Sequence, residues 1–387
     1  MTIKPNISIF IYSMGKGGAE KIVSTILFDL VKYFKVHLVL LSNEIVYEIP
    51  IDVKVTNLNV VSSNGFVKLL SVPINAYKYK KFCQKNKIKT SLSLLTQPNF
   101  ISLLSKLLGN SAKIIISEHT VLSNWRSKEV LYSMFHKFFV KKLYSIADSI
   151  VVVSKYIQYD LINNYNIRKT RIDVIYNPHN LSSIDRLKML PILDSNFISF
   201  SSRVIISAGT LESRKGFYEL IKAFSLLEYS DLNLLIMGDG PEKESLQKLV
   251  LDLNLTKRVF LLGFVDNPYQ YFKNSDIFVL ASHVEGLPNV IIEALACGCA
   301  VISTDCISGP REILSPGTDY PAKELTEFED VEYGILTPVD NIHELKLAMD
   351  SLTKNNSKLV KYKKKSLSRA YDFDLKQNNE YIDLLIK

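Results

Sequence analysis

Cysteine is scarce in this chain. Only Cys83, Cys297, Cys299 and Cys306 occur in 387 residues. Cys297 and Cys299 form a C-x-C, but no His or Cys pair follows at zinc spacing, which argues against a metal site. The four read as small core residues of a reducing, cytoplasmic compartment. Long apolar runs are lacking as well. No uncharged stretch approaches the ~20 residues that a membrane span needs. The first apolar run, in "MTIKPNISIFIYSMGKGG", is short and leads into a glycine-rich turn, which does not fit a signal peptide. No nucleic-acid-binding motif and no short-period repeat is present, so no nucleic-acid partner is expected.

What is there suits an ordinary globular chain, 47% hydrophobic and 22% charged. Its length fits two domains of common size. The net charge of +8 is uneven: residues 1–185 hold 24 Lys/Arg against 11 Asp/Glu, whereas residues 186–387 hold 23 against 28. A basic first half suits an anionic partner, either a membrane surface or a phosphate-rich substrate. A solvated surface rich in lysine is the plainer reading.

Apolar runs alternate with helical patterns along the chain. Strands are expected at 6–14, 36–42, 53–59, 113–119 and 149–154, and a strand that runs into a turn at 172–180. The pattern restarts after 177–196, with a strand and turn at 204–211, strand, glycine turn and helix in "NLLIMGDGPEKESLQKLV", and strands at 259–265, 276–282 and 300–305. Such alternation predicts parallel sheets covered on both faces. The expectation is α/β, two doubly wound Rossmann-like domains facing a cleft: 1–180, then 195–360, with a helical tail over 361–387 crossing back to the first domain.

One stretch carries chemistry. Residues 285–293 read "EGLPNVIIE". Pro288 suits the first turn of a helix, which puts Glu285 in the preceding loop and Glu293 inside the helix. The two are then separated by ~7–8 Å of helix axis at 1.5 Å per residue. Between them lies a helix N-terminus, with free N–H groups and the positive dipole end, a natural seat for a diphosphate. A ligand with polyols on both sides of two phosphates, a nucleotide sugar, matches that layout. Two surface glutamates on an ordinary helix are the alternative.

The whole of "SDIFVLASHVEGLPNVIIEALACGCAVISTD" (275–305) resembles the C-terminal signature of retaining GT-B glycosyltransferases of family GT4. "GKGGAEKIV", "SAGTLESRKGFYELIKAF", "MGDGPEKESLQKL" and "LGFVDN" are similar to other family segments, in order, and "ISGPREIL" is similar to bacterial members that build capsule, O-antigen or other lipid-linked glycans. The resemblance implies transfer of a sugar, most simply from a UDP-linked donor, with retained configuration and no required metal or other cofactor. It implies that Glu285 faces the transferred sugar and Glu293 the ribose, that Gly286, Leu287, Pro288 and Asn289 form the loop under the diphosphate, and that Lys215 neutralises the phosphates. Val265 matches the position whose backbone reads the base. Members usually carry Arg where this chain has Thr210, and Arg214 is the candidate to replace that cation. Gly15, Gly17 and Gly18, around Lys16, would bring N–H groups to the phosphates. Gly238, Asp239 and Gly240 read mainly as a tight turn. His119, at a strand end, matches a histidine beside the transferred sugar, while Glu118 alternates to the other strand face and reads as structural.

Arg126, Lys128, Lys137, Lys141 and Lys142 lie within "NWRSKEVLYSMFHKFFVKKLY" (124–144), and "NAYKYKKFCQKNKIK" (75–89) adds lysines among aromatics. Such segments suit an anionic bilayer surface, with a packed helix bearing a solvated face as the alternative. The expectation is a peripheral enzyme on the inner face of the cytoplasmic membrane, meeting a polyprenyl-diphosphate-linked acceptor. Alternatives are a sugar-nucleotide epimerase of the same fold and a non-catalytic sugar-nucleotide-binding assembly protein.

Overall fold

The computed structural model describes residues 4–58, 65–124, 130–192, 203–375 and 380–386, with side chains except in 65–70 and 130–136. The chain divides into two compact units, Met1–Pro178 with Asn378–Lys387 and His179–Gln377.

The first unit is built on seven parallel strands: β1 (Asn6–Ile11), β2 (Lys35–Leu40), β3 (Lys54–Asn57), β4 (Thr90–Leu94), β5 (Lys113–Glu118), β6 (Ser149–Val152) and β7 (Ile172–Val174), in the order β3-β2-β1-β4-β5-β6-β7. Helices α1 (Gly18–Tyr33), α2 (Gly65–Lys85), α3 (Thr96–Leu107), α4 (Val130–Tyr144) and α5 (Lys155–Tyr165) connect them. In α1 the buried residues Ile22, Val23, Ile26, Leu27 and Leu30 recur at helical spacing and form one apolar stripe against the sheet. Serines in mid-strand have a specific use: the Tyr79 hydroxyl of α2 lies 2.7 Å from Ser8 Oγ in β1 and 2.6 Å from Ser91 Oγ in β4. A buried phenol thereby finds partners inside the core, as it must.

The second unit repeats the plan. Strands β8 (Val204–Ala208), β9 (Asn233–Met237), β10 (Val259–Gly263), β11 (Ile277–Leu280), β12 (Ala300–Thr304), β13 (Glu329–Val331) and β14 (Gly334–Thr337) lie in the order β10-β9-β8-β11-β12-β14-β13, and only β13 runs antiparallel to its neighbour. Its helices are α6 (Leu181–Leu187), α7 (Phe217–Ser225), α8 (Lys243–Asp252), α9 (Pro268–Lys273), α10 (Asn289–Ala296), α11 (Pro310–Leu314), α12 (Ile342–Lys354) and α13 (Asn356–Tyr371). In each sheet the order reverses beside one strand, β1 or β8, and the loops after the neighbouring strands gather at that switch point.

The expected class, two parallel Rossmann-like sheets, is what the chain forms. Three details differ. Strands β4, β13 and β14 were not among those expected. The strand and turn expected over 172–180 form, the strand ending at Val174, but 181–187, expected between the domains, is helical within the second unit. The tail expected to cross back from 361 stays on the second unit as α13: Ser366 Oγ donates to Cys299 O (2.6 Å), and Arg369 donates to Ile313 O (2.7 Å) and Glu312 O (2.8 Å). Only Asn378–Lys387 belongs to the first unit, where Lys113 Nζ donates to Leu384 O at 3.2 Å. All four cysteines are buried free thiols, as expected of core residues.

Candidate active site

In the second unit the loops after β8, β9 and β11 meet backbone to backbone. Gly216 has φ +67°, and a Cβ there would stand 2.0 Å from Ala281 O. No other residue type tolerates both the left-handed conformation and that approach. The turn at 238–240 backs the 209–216 loop: Gly209 N donates to Met237 O (3.0 Å), and Leu211 N to Asp239 O (3.0 Å). Gly238, Asp239 and Gly240 thus serve a tight turn. At Gly309 a Cβ would stand 2.4 Å from Pro288 Cδ, so the turn after β12 closes directly on the 285–289 loop.

These contacts bring Lys215 to Glu285. Lys215 ends a short 3-10 turn, Ser213–Lys215. Its Nζ lies 2.6 Å from Glu285 Oε1, in a pair whose side chains are 15% and 8% exposed. The same Oε1 accepts Ser282 Oγ at 2.6 Å, and Ser282 O accepts Thr304 Oγ1 at 2.5 Å. His283 N donates to Arg214 O (2.8 Å), and its ring nitrogen Nε2 lies 2.9 Å from Asp340 Oδ1 and 3.6 Å from Glu219 Oε2. Ser308 Oγ donates to Gly286 O at 2.7 Å. The loop before α10 is therefore tied to β12, α7 and the segment before α12.

Pro288 occupies the N-cap position of α10, one residue earlier than the first turn expected for it, and Asn289 is the first helical residue. Glu293 is buried within α10. Leu287 is buried, and Val265 is half-buried just beyond β10. Thr210 is exposed, and its carbonyl accepts Glu212 N at 2.8 Å. Arg214 Nε is 2.7 Å from Glu212 Oε2 in a largely exposed pair. Sequence reasoning missed Ser282, although an S-x-x-E spacing was legible there.

In the first unit the loop after β1 leads to Gly17, the N-cap of α1. Gly15 N donates to Ser13 Oγ at 3.2 Å, Lys16 is exposed and Gly18 begins the helix. Two carboxylates stand at this loop: a Cβ on Gly15 would meet the Glu44 carboxyl carbon at 2.8 Å, and one on Gly17 would meet Glu20 Oε2 at 2.0 Å. Burial first, and the Glu44 charge in addition, hold the Glu20 carboxyl above its usual range, against a backbone hydrogen bond that lowers it. Sequence reasoning did not foresee this acidic cover.

His119 follows β5 and is partly exposed, with Nε2 3.0 Å from Ser117 Oγ. Burial lowers it to about 4, so it is neutral near neutral pH. Glu118 is fully buried and structural: it accepts Tyr144 Oη (2.6 Å), Thr120 Oγ1 (2.8 Å) and the N–H groups of His119 (3.0 Å) and Thr120 (3.2 Å). Arg126 and Lys128 lie outside the described residues. In α4, Lys137, Lys141 and Lys142 are exposed together with Phe138 and Phe139, while Val140 and Tyr144 are buried. Among the described residues no helix is long and apolar enough to cross a membrane.

Two Rossmann-like units, one of which carries a lysine and a buried glutamate where its strand ends meet a helix start, are the plan of GT-B glycosyltransferases. Residues 16–183 match the family model Glycosyltransferase Family 4, and residues 194–369 match Glycosyl transferases group 1. The chain is 36% identical over 369 residues, 95% of either chain, to the N-acetylgalactosamine-N,N'-diacetylbacillosaminyl-diphospho-undecaprenol 4-alpha-N-acetylgalactosaminyltransferase of Campylobacter jejuni. The chain belongs to this family of glycosyltransferases. Its fold is similar to that of Anabaena HepE in complex with UDP, with a TM-score of 0.75 at 18% identity over 99% of both chains. It is also similar to sucrose-phosphate synthase from Thermosynechococcus elongatus, with a TM-score of 0.78 at 17% identity over 99% of this chain and 97% of that one.

The neutral His119 makes stability depend on pH. Between about 4 and the ordinary ~6.5, the unfolded chain binds a proton that folded His119 refuses, so its share of stability is complete above that window and falls as pH drops through it. His119→Gln should flatten the change in urea midpoint between pH 7 and pH 4 relative to the wild type. An unchanged pH slope would show that His119 is not held neutral.

Proposed function

We propose that the chain is a retaining, GT4-class glycosyltransferase that moves a hexose or N-acetylhexosamine from a UDP-sugar to a growing, lipid-linked glycan, with no required metal, on the inner face of the cytoplasmic membrane. The observation that carries this reading is the Lys215–Glu285 pair at the start of α10. The barrier to transfer is charge: negative on the departing diphosphate, positive on the sugar. The N–H groups at the head of α10 and the Lys215 ammonium supply fixed positive potential for the former. Gly286, Leu287, Pro288 and Asn289 lie under the phosphates. Glu285 accepts a hydroxyl of the transferred sugar, Glu293 accepts the ribose hydroxyls, and the Val265 backbone meets the base. Neutral His119 offers the sugar an uncharged hydrogen-bond partner.

No covalent nucleophile is needed. The acceptor hydroxyl attacks on the face from which the phosphate departs and passes its proton to that phosphate, which preserves configuration. The Campylobacter relative, by its name, acts on an undecaprenol-diphosphate-linked sugar, which supports a polyprenyl-diphosphate-linked acceptor here. A transferase relative along 95% of the chain also favours transfer over epimerisation or silent binding. A panel of nucleotide sugars incubated with lipid-linked acceptors and read by mass spectrometry tests the proposal. A new glycosidic bond supports it, whereas an epimer or an unchanged donor sinks it.

Three outcomes follow for variants. Glu285→Gln should lower turnover by more than about tenfold with UDP affinity nearly intact, because its partner is the sugar. Loss of UDP affinity with turnover preserved would contradict the assignment. Lys215→Ala should weaken UDP binding by about 1.5–3 kcal/mol in calorimetry, as expected for a charge-assisted contact, whereas Arg214→Ala, already engaged by Glu212 and exposed, should cost well under 1 kcal/mol. Equal losses would show that Arg214 leaves Glu212 to serve as the cation missing at Thr210. At the membrane, each basic group near an anionic surface contributes about 1 kcal/mol. The chain should therefore float with anionic but not neutral liposomes, and less so at high salt. Neutralising Lys137, Lys141 and Lys142 together should reduce flotation without changing UDP affinity. Undiminished binding would mean that these lysines are only a solvated face.

A further inference from the structure

We infer that Ser282 is the positioning residue of the transfer site: it fixes Glu285 through one oxygen and so reserves the other for the sugar. The inference rests on the role proposed for Glu285. Both hydrogen bonds to the carboxylate converge on Oε1, from Lys215 Nζ and from Ser282 Oγ, each at 2.6 Å. Among the described residues Oε2 has no such donor. A carboxylate pinned through one oxygen holds the other in a fixed direction, ready to accept a hydroxyl.

The two donors are not equivalent. Lys215 sits on a long, flexible stem and is the cation a diphosphate attracts. Ser282 is fully buried and lies two residues beyond the end of β11. Its carbonyl accepts Thr304 Oγ1 at 2.5 Å, from the last residue of the neighbouring β12. The sheet therefore sets the Ser282 hydroxyl. When the phosphates draw on Lys215, Ser282 remains the rigid partner that keeps Glu285 in place.

The test is a cycle of variants assayed for turnover and for UDP affinity by calorimetry. Ser282→Ala should lower kcat about tenfold while UDP affinity changes less than about twofold. In the Glu285→Gln background the same change should cost less than about twofold more, because a carboxamide still takes the Ser282 hydroxyl but no longer presents the second acceptor oxygen that Ser282 positions. Thr304→Val, which keeps the side-chain shape, should reproduce part of the kcat loss by freeing the Ser282 carbonyl, and it serves if Ser282→Ala proves unstable. Multiplicative losses for Ser282→Ala and Glu285→Gln would overturn the inference. So would full turnover in Ser282→Ala beside an impaired Glu285→Gln, and that result leaves the functional reading standing. Full turnover in Glu285→Gln would overturn both.

Discussion

A carboxylate with only 8% of its side chain exposed has to be given donors, and much of the second unit is arranged to give them to Glu285. An unpaired buried charge would cost several kcal/mol. The lysine that answers it comes from the loop after β8, and the hydroxyl from the loop after β11. Bringing those loops close enough requires that main chain touch main chain, which explains the glycine at 216 against Ala281 and the glycine at 309 against Pro288. The turn after β12 then closes from behind, with Ser308 bonded to Gly286. One electrostatic demand thus explains contacts scattered over about a hundred residues.

The first unit solves the opposite problem. Among the described residues Glu118 takes its hydrogen bonds from neutral donors, at its own strand end and from Tyr144 in α4. That arrangement ties down the backbone on which His119 is carried, and burial keeps the histidine uncharged. At the α1 end, the Glu20 and Glu44 carboxyl groups stand against the glycine loop at the helix N-terminus. The unit is basic in composition, yet its glycine loop carries a local acidic cover.

How much of this was legible beforehand followed the length of the pattern. Strands such as β1, β5, β8 and β11 are continuous apolar runs, and their alternation with helices is enough to name the sheet class. Strand β4, "TSLSL", alternates serine with leucine, which breaks the apolar run, and Tyr79 supplies the partner that lets Ser91 be buried. Strands β13 and β14 are too short for any periodic signal. Glu285 and Lys215 could be picked out by residue type and motif. What could not be read was pairing: that Arg214 rests on Glu212, and that Ser282 shares an oxygen with Lys215. Those facts depend on which loops touch, a property of the fold and not of local spacing.

The discontinuity of the first unit has a consequence for how the molecule is made. Its helix Glu380–Ile386 is separated from the rest of its own unit by the whole of the second, and it buries Tyr381, Leu384 and Leu385. A ribosome releases residues in order, so the second unit can complete its sheet while the first still lacks its last helix. During that interval the apolar surface awaiting Tyr381 and Leu385 is open to water, and the carbonyl that Lys113 will meet has not yet been synthesised. The portion made first is therefore finished last, and a nascent chain halted before residue 380 would carry a complete β8–β14 sheet beside a first unit with a permanent gap.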